Sequence, residues 1–225
     1  MANINVLLVD DHDIVRQGLR ALLIAEGDIT IVAEAQTGRE AVQLATALHP
    51  EVVVMDLAMP RLNGCEATRQ LVKAVPSAKV VVLSTYSDDE HLQQALAAGA
   101  AAYLLKQTAA ADLAQAIREV KKGNAYFSPA IAKRLRERTS SPPSPDESLK
   151  AANLELTPRE AEVLQLIAEG FANKQIAGEL GLSVKTVEKH RQQVMYKLKI
   201  HDIAGLVRHA VDKGIIEMSP AGVPG

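Results

Sequence analysis

Four apolar runs, INVLLV, EVVVM, KVVVL and AAYLL, recur through the first half of the chain, and each stops at or just before a polar residue. A half-exposed strand alternates apolar with polar positions. Continuous β-branched or leucine-rich runs of this length instead mark strands buried on both faces. With the run at 29–35 they place strands near 4–9, 29–35, 51–56, 79–84 and 101–105. The intervening stretches, such as IVRQGLRALLIA and DEHLQQALAAG, repeat apolar residues every three or four positions, and Gly99 can supply a left-handed C-cap. Strand and helix thus alternate five times up to about residue 121. Right-handed crossovers then force a parallel sheet, so the fold class of this half is α/β.

In an open parallel sheet, ligands sit outside the carboxyl ends of the strands. Those ends carry Asp10, Asp11, Asp56, Ser84 and Lys106. Three carboxylates, a hydroxyl and an ammonium gathered there describe a site for a divalent cation and a phosphoryl group. Mg²⁺ is typically held by one or two carboxylates plus waters, which Asp10 and Asp11 supply. Asp56 closes the third strand and is best placed to act as nucleophile and become an acyl phosphate. Lys106 would neutralise a phosphoryl oxygen, and Ser84 would donate a hydrogen bond to another. Taken singly, each has a plainer reading: Asp11 or Asp13 as a cap of the first helix, His12 as a surface or capping residue, Ser84 as a turn residue, Lys106 as a solvated lysine and Tyr103 as a core aromatic. The five together outweigh these. Cys65 reads as a small buried hydrophobe with no chemistry of its own.

The second half is built differently. Ser128 and Pro129 start a short helix over 128–138, and TSSPPSPDESLKAA at 139–152, with three prolines and four serines, is too polar for a core and reads as a linker. Beyond Leu154 only helical patterns occur, near 158–169, 173–180, 184–199 and 202–213. Thr157-Pro158-Arg159-Glu160 combines an N-cap, a first-turn proline and a capping-box glutamate. NKQIAGEL and VKTVEKHRQQVMYKLK, separated by a turn holding Gly181 and Ser183, have helix-turn-helix spacing. The second of these helices carries Lys185, Lys189, Arg191, Lys197 and Lys199 against the single acid Glu188, which focuses positive charge for DNA phosphates. Lys185, Glu188, Lys189 and Gln192 offer the donors and acceptors that read base edges, whereas Val184, Val187, Val194 and Leu198 are expected to face the core.

Length and charge bound the rest. The 225 residues suit two modest domains, and a formal net charge of -2 gives no global attraction to nucleic acid or membrane, so basic surface has to be local. One cysteine, no signal-like start and no run near the length of a bilayer span point to a cytoplasmic protein with no membrane anchor.

VLLVDDH, VVVMDLAMPRLNG, VVLST and YLLK resemble the four signature blocks of bacterial receiver domains. The region LTPREAEVLQLIAEGFANKQIAGELGLSVKTVEKHRQQVMYKLKI resembles the LuxR-type helix-turn-helix. Together they make nearly the whole chain similar to a two-component response regulator of the NarL/FixJ class. The resemblance implies a flavodoxin-like (βα)5 receiver with strand order 2-1-3-4-5, followed by an all-α, four-helix DNA-binding domain. The implied bounds are 1–124 for the receiver, 125–152 for a short helix and linker, 153–218 for the DNA-binding domain and 219–225 for a tail. It also implies Mg²⁺ on Asp10, Asp11, Asp56 and the backbone carbonyl of Ala58, phosphorylation of Asp56 by a histidine kinase, and a switch made of Ser84, Lys106 and the aromatic Tyr103. Double-stranded DNA would be bound by a homodimer through Lys185, Thr186, Glu188, Lys189, Arg191, Gln192 and Lys197. Ala58 and Tyr86 occupy positions that in this family tune loss of the phosphoryl group.

Two other readings compete. An Asp-nucleophile phosphohydrolase would use a similar set of groups, but Ala58, two residues past Asp56, supplies no acid for a leaving group. A constitutive DNA binder would use its first domain only to dimerise.

Overall fold

The computed structural model describes residues 3–107, 109–128, 131–132 and 156–216. The chain divides into two compact units, Met1–Pro142 and Pro143–Gly225. The expected linker at 139–152 and tail at 219–225 lie outside the described residues, as does most of the short helix expected at 128–138.

The first unit alternates β1 (Ile4–Val9), α1 (Asp13–Ala25), β2 (Ile29–Ala35), α2 (Gly38–Leu48), β3 (Val52–Asp56), α3 (Gly64–Ala74), β4 (Lys79–Ser84), α4 (Asp89–Ala98), β5 (Ala102–Leu105) and α5 (Ala109–Lys121). The strands pair in parallel in the order β2-β1-β3-β4-β5, and a two-residue strand, β6 (Tyr126–Phe127), extends the edge beyond β5. Every residue of β3 is buried, as is all of β4 except Lys79. Side chains of a strand alternate between faces, so the sheet feeds two cores. Val53, Met55, Val80 and Val82 pack on one side with Ala67 and Leu71 of α3 and Leu92 of α4, while Val52, Val54, Val81 and Leu83 pack on the other with Leu23 of α1 and Ile117 of α5. Gly99 takes the left-handed C-cap of α4 at φ 101°.

The second unit holds α6 (Pro158–Ala168), α7 (Asn173–Leu180), α8 (Val184–Leu198) and α9 (Ile203–Asp212) around a core that includes Val163, Ile167, Ile176, Val187, Val194 and Leu206. Each boundary has a local chemical cause. The α6 capping box is complete: Thr157 accepts from the Glu160 amide, and the Thr157 amide donates to the Glu160 carboxylate at 2.8 Å. Gly181 ends α7 at φ 63°, and Ser183 then accepts from the Thr186 amide to start α8. Thr157→Ala should cost the second unit about 1 kcal/mol, the usual cost of a lost N-cap, read as a lower urea midpoint of the full chain's helical signal.

Candidate functional site

The β1, β3, β4 and β5 ends converge as the strand register requires. Asp10, Asp56 and Ser84 are each no more than 1% exposed, and Lys106 follows β5 with its amide donating to the Ser84 carbonyl at 2.8 Å. Lys106 Nζ lies 3.0 Å from Asp10 Oδ2 and 2.8 Å from Asp56 Oδ2. Burial works to lower the Lys106 pKa, but the two facing carboxylates prevail and leave it raised. Asp56 is driven the other way: burial, opposed by Lys106 and reinforced by Asp10, pushes its carboxyl up to about 6.

One ammonium does not balance three carboxylates. Apart from Lys106, the buried Oδ2 atoms of Asp10 and Asp56 have no hydrogen-bond partner among the described residues. Asp10, Asp11, His12 and Asp56 each offer a ligand atom, all within 4.8 Å of one another. An oxygen-rich, negatively charged cluster of this kind suits a hard divalent cation such as Mg²⁺. Neither acid caps α1: His12 stands at the N-cap without a side-chain cap bond, and its amide instead donates to Asp10 Oδ1 at 2.9 Å.

Asp56 is also held from its own loop. The Ala58 amide reaches Asp56 Oδ1 at 3.4 Å, and the Gly64 amide donates to the Leu57 carbonyl at 2.9 Å, which folds the start of α3 back onto the strand end. Ser84 Oγ accepts from the Tyr86 amide at 3.0 Å. Tyr103 is fully buried, its hydroxyl donates to the Tyr86 carbonyl at 2.9 Å, and burial pushes its pKa up to about 12. Cys65 packs partly buried against the same core as α3, and burial raises its thiol to about 12.

In the second unit, Ser183, Lys185, Thr186, Glu188, Lys189 and Gln192 line one groove of about 600 Å³ on α8. Two other residues expected to contact DNA have partners within the unit. Arg191 donates to Asn173 Oδ1 at 3.3 Å, and Lys197 forms a 2.7 Å ion pair with Glu160 that ties α8 to the capping box of α6. Val187 and Val194 are buried and Leu198 packs against the core, as expected, but Val184 is 41% exposed. It is the first residue of α8, preceded by a turn and not by a packed helix.

The model of the response regulator receiver domain matches residues 6–118, and that of bacterial regulatory proteins of the luxR family matches residues 154–210. The response regulator protein VraR of Staphylococcus aureus is 37% identical over 216 residues, covering 95% of this chain and 99% of that protein. The chain is a LuxR-family response regulator. A two-component response regulator of the same family from Aurantimonas sp. SI85-9A1 superposes with a TM-score of 0.59 at 34% identity, over 62% of this chain and all of that one. The response regulator RcsB in complex with DNA superposes at a TM-score of 0.56 and 27% identity, covering 92% of this chain and 97% of that one. The response regulator is thus a two-component transcription regulator with a receiver and a helix-turn-helix half. Among its described residues no helix is long and apolar enough to cross a membrane.

Sequence reasoning missed one residue that shapes the acidic site. Arg16 of α1 is only 7% exposed; its guanidinium donates to the Asp10 carbonyl at 2.7 Å and to Glu34 at 3.0 Å, and pairs with Asp13. It pins the end of β1 to the end of β2. The signal was present: Arg16, Leu19 and Leu23 share one helical face, so a cation sits on the stripe that α1 turns inward.

Proposed function

We propose that this response regulator accepts a phosphoryl group on Asp56 from a histidine kinase and that the modified receiver controls dimerisation and sequence-specific binding to double-stranded DNA in the cytoplasm. The observation that carries this reading is the convergence of Lys106 Nζ on Asp10 and Asp56 at 3.0 and 2.8 Å. An Asp56 oxygen attacks phosphorus, a P–O bond forms as the donor's P–N bond breaks, and the electron pair leaves with the donor nitrogen. Lys106 faces the oxygen that gains charge, and Ser84 supplies a hydroxyl on the adjacent strand end. Asp10, Asp11, Asp56 and the Ala58 carbonyl would hold Mg²⁺, which supplies charge neutralisation to the incoming dianion when bound. Acetyl phosphate with Mg²⁺ tests the receiver: intact-mass analysis should show one added phosphoryl group, and none when the cation is chelated.

DNA binding is assigned to the α8 groove. Lys185 and Lys189 neutralise phosphates or donate to guanine, Glu188 accepts from cytosine amino groups, and Gln192 pairs with adenine. Thr186 lines the same groove, while Arg191 and Lys197 tie α8 to Asn173 of α7 and Glu160 of α6. In a symmetric dimer two such grooves address half-sites about one helical turn apart. Lys189→Ala should lower specific affinity by about 1–3 kcal/mol, with the helical signal unchanged. Selection of bound genomic fragments, with and without phosphorylation, followed by footprinting of wild type and variant on a selected fragment, checks this; equal protection by both would remove Lys189 from the interface.

A further inference from the structure

The first turn of α4 carries a buried histidine that the chemistry of the acidic site does not use. His91 of α4 is 7% exposed, and its ring lies flat on Tyr86, with centroids 4.0 Å apart and planes 3° from parallel. His91 Nδ1 lies 2.7 Å from both carboxylate oxygens of Asp88, the N-cap of α4, which also accepts from the Glu90 and His91 amides. The imidazole is therefore fixed to the helix start at its edge and to Tyr86 at its face. Tyr86 is fixed in turn by the two switch side chains, its amide donating to Ser84 Oγ at 3.0 Å and its carbonyl accepting from the Tyr103 hydroxyl at 2.9 Å.

We propose that His91 is a positioning residue that couples Ser84 to α4 by holding Tyr86 against the helix. The inference rests on the phosphoacceptor reading of Asp56. When Ser84 turns toward a phosphoryl oxygen on Asp56, its Oγ is drawn away from the Tyr86 amide, and the ring stacked on His91 carries that displacement into α4. Leu92 and Ala95 of α4 share one buried cluster with Tyr103 and with Ile131, just past β6, so a shift of α4 repacks the place where the chain leaves the sheet. Without the stack, Ser84 and α4 move independently.

A double-mutant cycle in the full chain tests the coupling, with hydrogen exchange of peptides spanning 86–98 as the readout. Ser84→Ala should loosen these amides in the wild-type background and change them little once His91→Ala is present, a departure from additivity of about fivefold in protection. His91→Phe keeps a flat ring against Tyr86 and should retain the dependence on Ser84. Additive effects of the two alanine substitutions, or a His91→Phe chain that behaves like His91→Ala, would overturn the proposal. The same peptides are then followed after acetyl phosphate and Mg²⁺, with intact mass read in parallel. Absence of the adduct on wild type would count against Asp56 as phosphoacceptor, while the cycle still decides the role of His91.

Discussion

Asp56→Asn should abolish phosphoryl uptake and, at the same time, make the receiver more stable at neutral pH. The first effect is all-or-none, because the amide oxygen is not a nucleophile of carboxylate strength and Asp10, the other carboxylate on Lys106, is the proposed cation ligand. The second follows from linkage. The Asp56 carboxyl is held at about 6 in the fold against 3.8 as its ordinary value, chiefly by burial. An acid with a raised folded pKa binds more protons folded than unfolded between those two values, so stability falls as pH rises through that window and the full penalty is present above it. Two units correspond to about 3 kcal/mol. Lys106 loses a partner in the variant, so a net gain of about 2 kcal/mol at pH 7.5 is expected, vanishing below about pH 4. Urea unfolding of both chains across pH, in chelator, measures it. Mg²⁺ should stabilise only the wild type appreciably, by mass action on the intact carboxylate cluster. A variant that is less stable at pH 7.5, or that still gains a phosphoryl group, contradicts the assignment.

Both results depend on residues that the amino-acid sequence exposes unevenly. Strands β1 to β5 were legible to within a residue, and for β1, β3, β4 and β5 burial writes an apolar run whose end carries the polar residue brought into the acidic cluster. That is why Asp10, Asp56, Ser84 and Lys106 were found together. β6 was not legible, since two residues carry no period. Tyr86 and His91 were missed as a pair for a different reason: they are joined by a ring stack across the β4–α4 turn, and no spacing rule anticipates which aromatic a helix start will turn toward. On α8 the charge pattern located the groove, but it did not separate Lys185 and Lys189 from Lys197, because a basic residue looks the same in sequence whether it faces solvent or a buried glutamate on another helix.

Gly64→Ala should damage the acidic site although Gly64 carries no chemistry of its own. Gly64 opens α3, and a Cβ built there would lie 1.9 Å from the Asp56 carbonyl oxygen and 2.8 Å from the Leu57 Cα. Both obstacles are backbone, so no side-chain rotation relieves the clash; either α3 lifts away or the end of β3 moves. The first breaks the hydrogen bond from the Gly64 amide to the Leu57 carbonyl, and the second displaces the Asp56 carboxylate from Lys106 and Asp10. Overpacking of this kind costs about 1–3 kcal/mol. A displacement of about 1 Å at a reacting group can slow transfer about 100-fold. Gly18→Ala provides the contrast, because Gly18 lies inside α1 with nothing within 4 Å of its added methyl. That change should stabilise by about 0.5–1 kcal/mol through helix propensity and leave phosphorylation untouched. Time courses with acetyl phosphate by intact mass, beside urea unfolding of both variants, separate the two. If Gly64→Ala gains its phosphoryl group at the rate of Gly18→Ala, then close contact between α3 and the Asp56 backbone does not set the position of the nucleophile.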